Sequence, residues 1–139
     1  MCRATYYYTV KQAFKNISFT TDNDTDKAVR LAGGKWSGEG RVEIFHYGAW
    51  GTVCDDGWDI NDARVVCHQL GLLDALGAPG SARFGEGNGS IWLGGVQCLG
   101  NESSIKDCQH GGWNNNNCLH SQDASVICSS KYHLLSVTK

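Results

Sequence analysis

The sequence predicts a small α+β domain held together by disulfides, and three observations carry that prediction. Seven cysteines stand in 139 residues beside eighteen glycines, one proline and one methionine, the composition of a turn-rich fold tied by covalent links. One short run, Asn61 to Leu70, has helical spacing, and around it lie five strand-like segments bounded by glycine-rich turns. A chain of this length is about one domain and buries only a modest core, so the cross-links are expected to supply much of the stability.

Taken in order, residues 1–28 contain Cys2, three consecutive tyrosines and the acidic "TDNDTD". They have no sustained period and read as an N-terminal extension or linker. The domain is expected over residues 29–128, opening with "VRLAGG", a short strand that ends in a glycine turn. "GRVEIFHYGAWGTVC" alternates, with Val42, Ile44 and His46 on one face. After a turn at Tyr47-Gly48, Trp50, Thr52 and Cys54 form a second strand, which together is a hairpin signature. Asn61 is read as the N-cap of a helix over residues 61–70, Asp62 suits its positive end, and Ala63, Val66, Cys67 and Leu70 make its buried stripe before Gly71 stops it. "GAPGSARFGEGNGS" is too broken by glycine for regular structure and reads as a long surface loop. "IWLGGVQC" is the next strand, "NESSIKDC" a capped single turn, and "DASVIC" the closing strand. Residues 129–139 read as a C-terminal tail or linker.

Six cysteines, at 54, 67, 98, 108, 118 and 128, fall inside the domain, an even number that admits fifteen connectivities. The rival reading is zinc, because His68, His110 and His120 lie near cysteines. Structural zinc sites use close ligand pairs, whereas nine residues separate each of the last four cysteines from the next, so the disulfide reading is preferred. Oxidised cysteines imply an extracellular or cell-surface location. Four N-x-S/T sequons, at Asn16, Asn23, Asn88 and Asn101, agree with it as glycosylation sites. "MCRATYYYTVKQAFK" has no apolar signal core and no stretch is long enough to span a membrane. The chain is therefore read as a fragment whose signal or anchor lies in sequence outside it.

The blocks "VRLAGG", "GRVEI", "WGTVCDDGWD", "ARVVCHQLG", "FGEGNGSIWLGGVQCLGNESSIKDC" and "CLHSQDASVIC" closely resemble the scavenger receptor cysteine-rich (SRCR) domain, six-cysteine or group A type. The resemblance spans about Val29 to Cys128. It implies a curved antiparallel sheet cradling one helix, and disulfides joining Cys54 with Cys118, Cys67 with Cys128 and Cys98 with Cys108. Loops of these lengths contribute about 3–4 kcal/mol each in the chain-entropy model, less than additively where they overlap. Cys2 stays outside this scheme, as a link between chains, a partner for a neighbour missing here, or a consequence of truncation.

The resemblance also implies a calcium or magnesium site built from the two acids after the first of these cysteines, Asp55 and Asp56, and an acid in the block that here reads "HSQDAS". Gln122 stands at that third place, offering a carbonyl without a charge, and Gly94 and Gly95 stand where the family often has polar or acidic residues. Hard cations seek several oxygens, and adjacent carboxylates repel until a cation relieves them. The alternative role for Asp55 or Asp56 is to accept backbone N–H bonds in the turn before the helix, and Asp123 is expected to do something similar near the closing strand.

Residues 29–128 carry eleven acids against six Lys and Arg, a balance of −5, while both ends are slightly basic. A nucleic-acid partner is not expected from such a surface. Polyanion binding would need a local cluster or a bound cation, for which Arg30, Arg41, Arg64 and Arg83 are candidates, with Trp36 and Trp113 as contact platforms in glycine-rich and asparagine-rich loops. No catalytic motif is present: "FGEGNGS" precedes a strand instead of opening a helix, and G-x-S-x-G and H-E-x-x-H are absent. No organic cofactor is expected.

The resulting expectation is a non-catalytic extracellular module that recognises polyanionic, microbial or host protein ligands, with a calcium or magnesium ion as its only cofactor. Contact with a membrane would come only through segments missing from this chain. Two alternatives are an accessory module of a larger secreted enzyme, such as a protease or amine oxidase, and a structural or adhesion repeat.

Overall fold

A computed structural model describes residues 28–130. The strands are β1 (Val29–Gly33), β2 (Glu39–His46), β3 (Ala49–Val53), β4 (Asp74–Gly77), β5 (Ile91–Leu93) and β6 (Ser125–Ser129), and the helix α1 spans Ile60–Gln69. Short 3-10 turns cover Ile105–Asp107 and His120–Gln122. The α+β class holds: one helix packs on β4 and β6 of a curled sheet with order β4-β6-β2-β3-β5, and β1 pairs with β2. The sheet is mixed where an antiparallel one was expected, because β3 and β5 run parallel, with a register shift between Thr52 and Val53.

Strand β2 organises the rest. Along its length it pairs with β1, from Val29↔Ile44 to Gly33↔Gly40. Residues 39–41 also pair with β6 and residues 43–46 with β3. A second edge shared between two partners splays β3 and β6 apart, and the 80s loop crosses near that divergence, with Ala82 N–H donating to Asp123 O at 3.1 Å. The hairpin turns at Tyr47-Gly48 as expected, both with positive φ (50° and 75°), the two-residue geometry whose twist matches the flanking strands.

The helix cap lies two residues before the expected one. Asp59, not Asn61, is the N-cap: its Oδ1 accepts from Asn61 N at 2.9 Å and Asp62 N at 3.2 Å, while Asp62 Oδ2 accepts from Asp59 N at 2.7 Å, a closed capping box. Gly71 ends the run at φ +79°, its N–H returning to His68 O. Ala63, Val65, Val66 and Cys67 face inward against Val42, Ile44, Val53, Leu93 and Val126. Full burial of Ile44 or Leu93 contributes about 1.5–3 kcal/mol each.

All three disulfides join the expected partners: Cys54–Cys118, Cys67–Cys128 and Cys98–Cys108. The first ties β3 to the loop before the second 3-10 turn. The second ties α1 to β6, and the third closes a small loop pinched by the Gln97↔Gln109 bridge. The capped turn in "NESSIKDC" is present, with Ser104 accepting from Lys106 N. Strand β4 and the turn at His120–Gln122 were not anticipated. Asn16, Asn23 and Cys2 lie outside the described residues.

Candidate functional site

The two aspartates sit on a turn fixed from several sides. Cys54 is buried, bridged to Cys118, and its N–H bonds Leu93 O at 2.8 Å. Asp55 N–H donates to Gln122 O at 2.7 Å, which draws the acidic turn against the second 3-10 turn, and Trp58 N–H closes the turn on Asp55 O. The carboxylate of Asp55 faces the glycine-rich loop, where Oδ2 accepts from Ser81 N at 2.7 Å. Asp56 is exposed and lines a cavity of about 340 Å³ together with Gln122. Gln122 Oε1 accepts from Leu119 N at 3.1 Å and so braces its own turn. The structure thus places Asp56 and Gln122 on one cavity and turns the Asp55 carboxylate toward the 80s loop, with one Asp55 oxygen and the Gln122 side-chain carbonyl already engaged.

Asp123 is fully buried. Its Oδ2 accepts from Gly87 N at 2.7 Å and from His120 Nδ1 at 3.0 Å, and His120 Nε2 donates to Gly89 O at 2.9 Å. Burial, the largest influence on His120, works to lower its pKa. The Gly89 carbonyl and the Asp123 carboxylate outweigh it and raise the value above that of an ordinary imidazole. Asp55 and Asp123 therefore act as staples for residues 80–89; Asp55 reaches across to Ser81 N, where a bond within its own turn before the helix was expected.

The arginines are mostly spoken for. Glu43, nearly buried on β2, takes Arg30 Nε at 2.7 Å and Arg41 Nη2 at 2.9 Å, and Arg41 Nη1 reaches Gly85 O. Burial would raise the Glu43 pKa, but the two guanidiniums bring it below the usual carboxylate range. Arg30 also lies 4.1 Å over the Trp50 ring. Arg64 pairs with Asp74 at 2.9 Å and with Asn61 Oδ1 at 3.0 Å. The Arg83 guanidinium has no hydrogen-bonded or ionic partner among the described residues, and with Lys35 it flanks a cavity of about 510 Å³ lined by Glu39, Phe84 and Ile127. Lys35 was not singled out in the sequence; only the fold brings it opposite Arg83.

Trp113 stacks on His46 at 3.7 Å between ring centroids and carries Lys106 5.3 Å from its ring, so it is built into a side-chain stack packed on the core. Trp36 packs its ring against the bare Cα of Gly38, where a Cβ would overlap it. Neither tryptophan lines the Arg83 cavity. Asn88 and Asn101 are exposed, as sequons require. His68 bonds Leu73 O and His110 accepts from Gly112 N. The zinc alternative fails because the six cysteines are consumed by disulfides. The one cluster of metal-type donors among the described residues, Cys98, Glu102 and Cys108, contains such a pair.

A helix laid on a curled mixed sheet, three disulfides of this connectivity, and an acidic turn after the first of them define a class. The chain belongs to the scavenger receptor cysteine-rich domain family, whose model matches residues 32–129. It is 53% identical over 104 residues to the mouse (Mus musculus) macrophage scavenger receptor types I and II, covering 75% of this chain and 23% of that protein. It is 45% identical over 113 residues to lysyl oxidase homolog 3B of Danio rerio, covering 81% and 14%. The third SRCR domain of murine neurotrypsin superposes with a TM-score of 0.67 at 48% identity, covering 73% of this chain and 94% of that one. The chain spans between 10% and 23% of the length of the curated relatives it first matches. Its family is therefore carried within much longer proteins, and a disulfide-rich domain of this kind is typical of extracellular ones.

Proposed function

We propose that this chain is a non-catalytic extracellular recognition module that binds polyanionic ligands, on microbial surfaces or on host proteins, through Arg83 and Lys35. The observation that carries this reading is the pair of unpartnered cations flanking one cavity in a domain of net negative charge where Arg30, Arg41 and Arg64 are consumed by acids. Guanidinium forks suit sulfate, phosphate and carboxylate groups, and Phe84 and Ile127 give the cavity apolar walls against which a ligand backbone can rest. The scavenger receptor relative supports the class of function. The test is binding of dextran sulfate to the oxidised chain. The double substitution Arg83→Ala, Lys35→Ala is expected to weaken binding about tenfold or more and to flatten its salt dependence. Unchanged binding would refute the assignment.

A calcium or magnesium ion at Asp55 and Asp56, completed by Gln122, belongs to the same proposal. Two neighbouring carboxylates on a disulfide-fixed turn support it, and the neutral Gln122 sets the expected affinity low, in the roughly 10⁻⁴–10⁻³ M range of extracellular modules. Calorimetry with calcium is expected to give a weak exotherm that Asp56→Asn abolishes; the absence of heat at millimolar calcium would leave these acids their structural duties alone. Repeating the dextran sulfate titration in EDTA decides whether the ion takes part in ligand binding. The resemblance to a lysyl oxidase homolog favours a second reading, an accessory module of a larger secreted enzyme, which the gene sequence flanking residues 1 and 139 distinguishes from a receptor or an adhesion array.

A further inference from the structure

The cavity beside Arg83 holds an acid as well as two cations. Lys35 and Glu39 stand where the chain turns from β1 into β2, Arg83 and Phe84 on the 80s loop, and Ile127 on β6. Glu39 is the direct partner of Ile127 in the sheet register, so both side chains leave the same face and the carboxylate lies along an apolar wall. Its Oε2 accepts from Lys35 N at 3.1 Å, which ties the turn and leaves Oε1 without a partner among the described residues. The opposite wall is seated by glycine: Gly33, at φ +83°, is bare where a Cβ would overlap Phe84 O. Arg83 is carried on a turn closed by its own N–H on Gly80 O at 3.2 Å and pinned by Ala82 N–H on Asp123 O.

A pure polyanion binds here against the repulsion of Glu39, because every sulfate or phosphate drawn to Arg83 and Lys35 brings negative charge toward that carboxylate. A ligand that carries a cation next to its anion turns the cost into a gain. The walls select the kind of cation. A primary ammonium brings three N–H donors and meets one uncommitted carboxylate oxygen. A quaternary ammonium has no N–H to satisfy; it is held by an aromatic face and apolar surface with an acid to balance its charge, which Phe84, Ile127 and Glu39 supply. At about 510 Å³ the cavity is within the usual size of small-ligand sites, with room for both groups.

We infer that this cavity takes a phosphocholine group, its phosphate on the Arg83 guanidinium and the Lys35 ammonium, its trimethylammonium among Phe84, Ile127 and the Glu39 carboxylate. The inference rests on the anion-binding reading of Arg83 and Lys35 and names the class of ligand within it; Glu39 is then the residue that sets specificity. The group has two sources of the same chemistry. One is phosphocholine displayed on a glycan or a protein, and the other is the headgroup of a choline phospholipid.

The experiment titrates the oxidised chain with phosphocholine, phosphoethanolamine and dextran sulfate in EDTA, so that no metal ion bridges phosphate to protein. Phosphocholine is expected to bind at millimolar concentration, about threefold or more tighter than phosphoethanolamine. Glu39→Gln is expected to weaken phosphocholine about two- to fivefold and to strengthen dextran sulfate, opposite signs that a general loss of structure does not produce. Phe84→Leu, which keeps the wall apolar, is expected to erase the preference for choline over ethanolamine, and Arg83→Ala with Lys35→Ala to remove binding of both phosphate ligands. Binding of phosphocholine conjugated to albumin assigns the displayed group, and binding of phosphatidylcholine vesicles assigns the headgroup. Absence of phosphocholine binding in every form overturns the inference, as does equal binding of phosphoethanolamine or binding that ignores Glu39→Gln. Dextran sulfate binding that still depends on Arg83 and Lys35 would then leave the broader anion-binding reading standing, and its independence of them would remove both.

Discussion

Asp62 illustrates how much one side chain can hold. Fully buried at the start of α1, it closes the capping box on Asp59 N and accepts from Cys98 N at 2.7 Å, so it couples the helix to the small disulfide loop. Burial pushes its carboxyl up to about 6, against two backbone N–H bonds that favour the ionised form. Asp62→Ala is expected to destabilise the domain by about 2–3 kcal/mol, because it leaves a buried N–H unpaired and opens the cap; chemical denaturation checks this, and a loss below about 0.5 kcal/mol would contradict the assigned role. From sequence, Asp62 was legible as an acid at the positive end of a helix. Its second partner was not, since Cys98 lies 36 residues away and nothing local announces the contact. The same limit applies at the cationic cavity, where Arg83 was identifiable as an arginine in a loop but its lack of an ion pair is a property of packing.

At the scale of elements, the segment from Gly80 to Gly89 is a loop without regular structure whose position is set by Asp55, Asp123 and His120. Both ring nitrogens of His120 face acceptors, so the charged imidazolium suits the site. A histidine whose folded pKa is raised contributes stability in full below its unfolded value, near 6.5, and loses it as pH rises through the folded value. The difference in Tm between the natural chain and His120→Ala is therefore expected to be largest in mildly acidic solution and to shrink on going alkaline. Asp62, raised above its unfolded value, favours acidic conditions in the same direction, which is why the comparison must be made between variants rather than on one protein. A difference independent of pH would show that His120 acts by packing alone. The β2–β3 hairpin and α1 were readable because alternation, a two-residue turn and a helical stripe are local signals. Strand β4 was not: "DALG" has four residues and no alternation long enough to detect, and it is a strand because β6 pairs with it.

For the whole molecule, the disulfides divide the labour. Cys67–Cys128 lies wholly inside the core and joins α1 to β6, so Cys67→Ser with Cys128→Ser is expected to cost about 2–5 kcal/mol and to lower Tm on the order of 10 °C or more. Scanning calorimetry measures this directly, and an unchanged Tm would mean that the sheet and helix need no staple. The sequence by itself determined the class of fold, the order of nearly all its elements and the family, because six cysteine positions, a hairpin turn and a capped helical run are written in adjacent residues. What only the tertiary structure decided is which polar groups remain available: that Arg41 and Arg64 are neutralised while the Arg83 and Lys35 side chains are not, and that Trp113 is stacked on His46. Charge, hydrogen-bonding capacity and exposure are consumed pairwise by neighbours distant in sequence, and no local pattern records which pairs form.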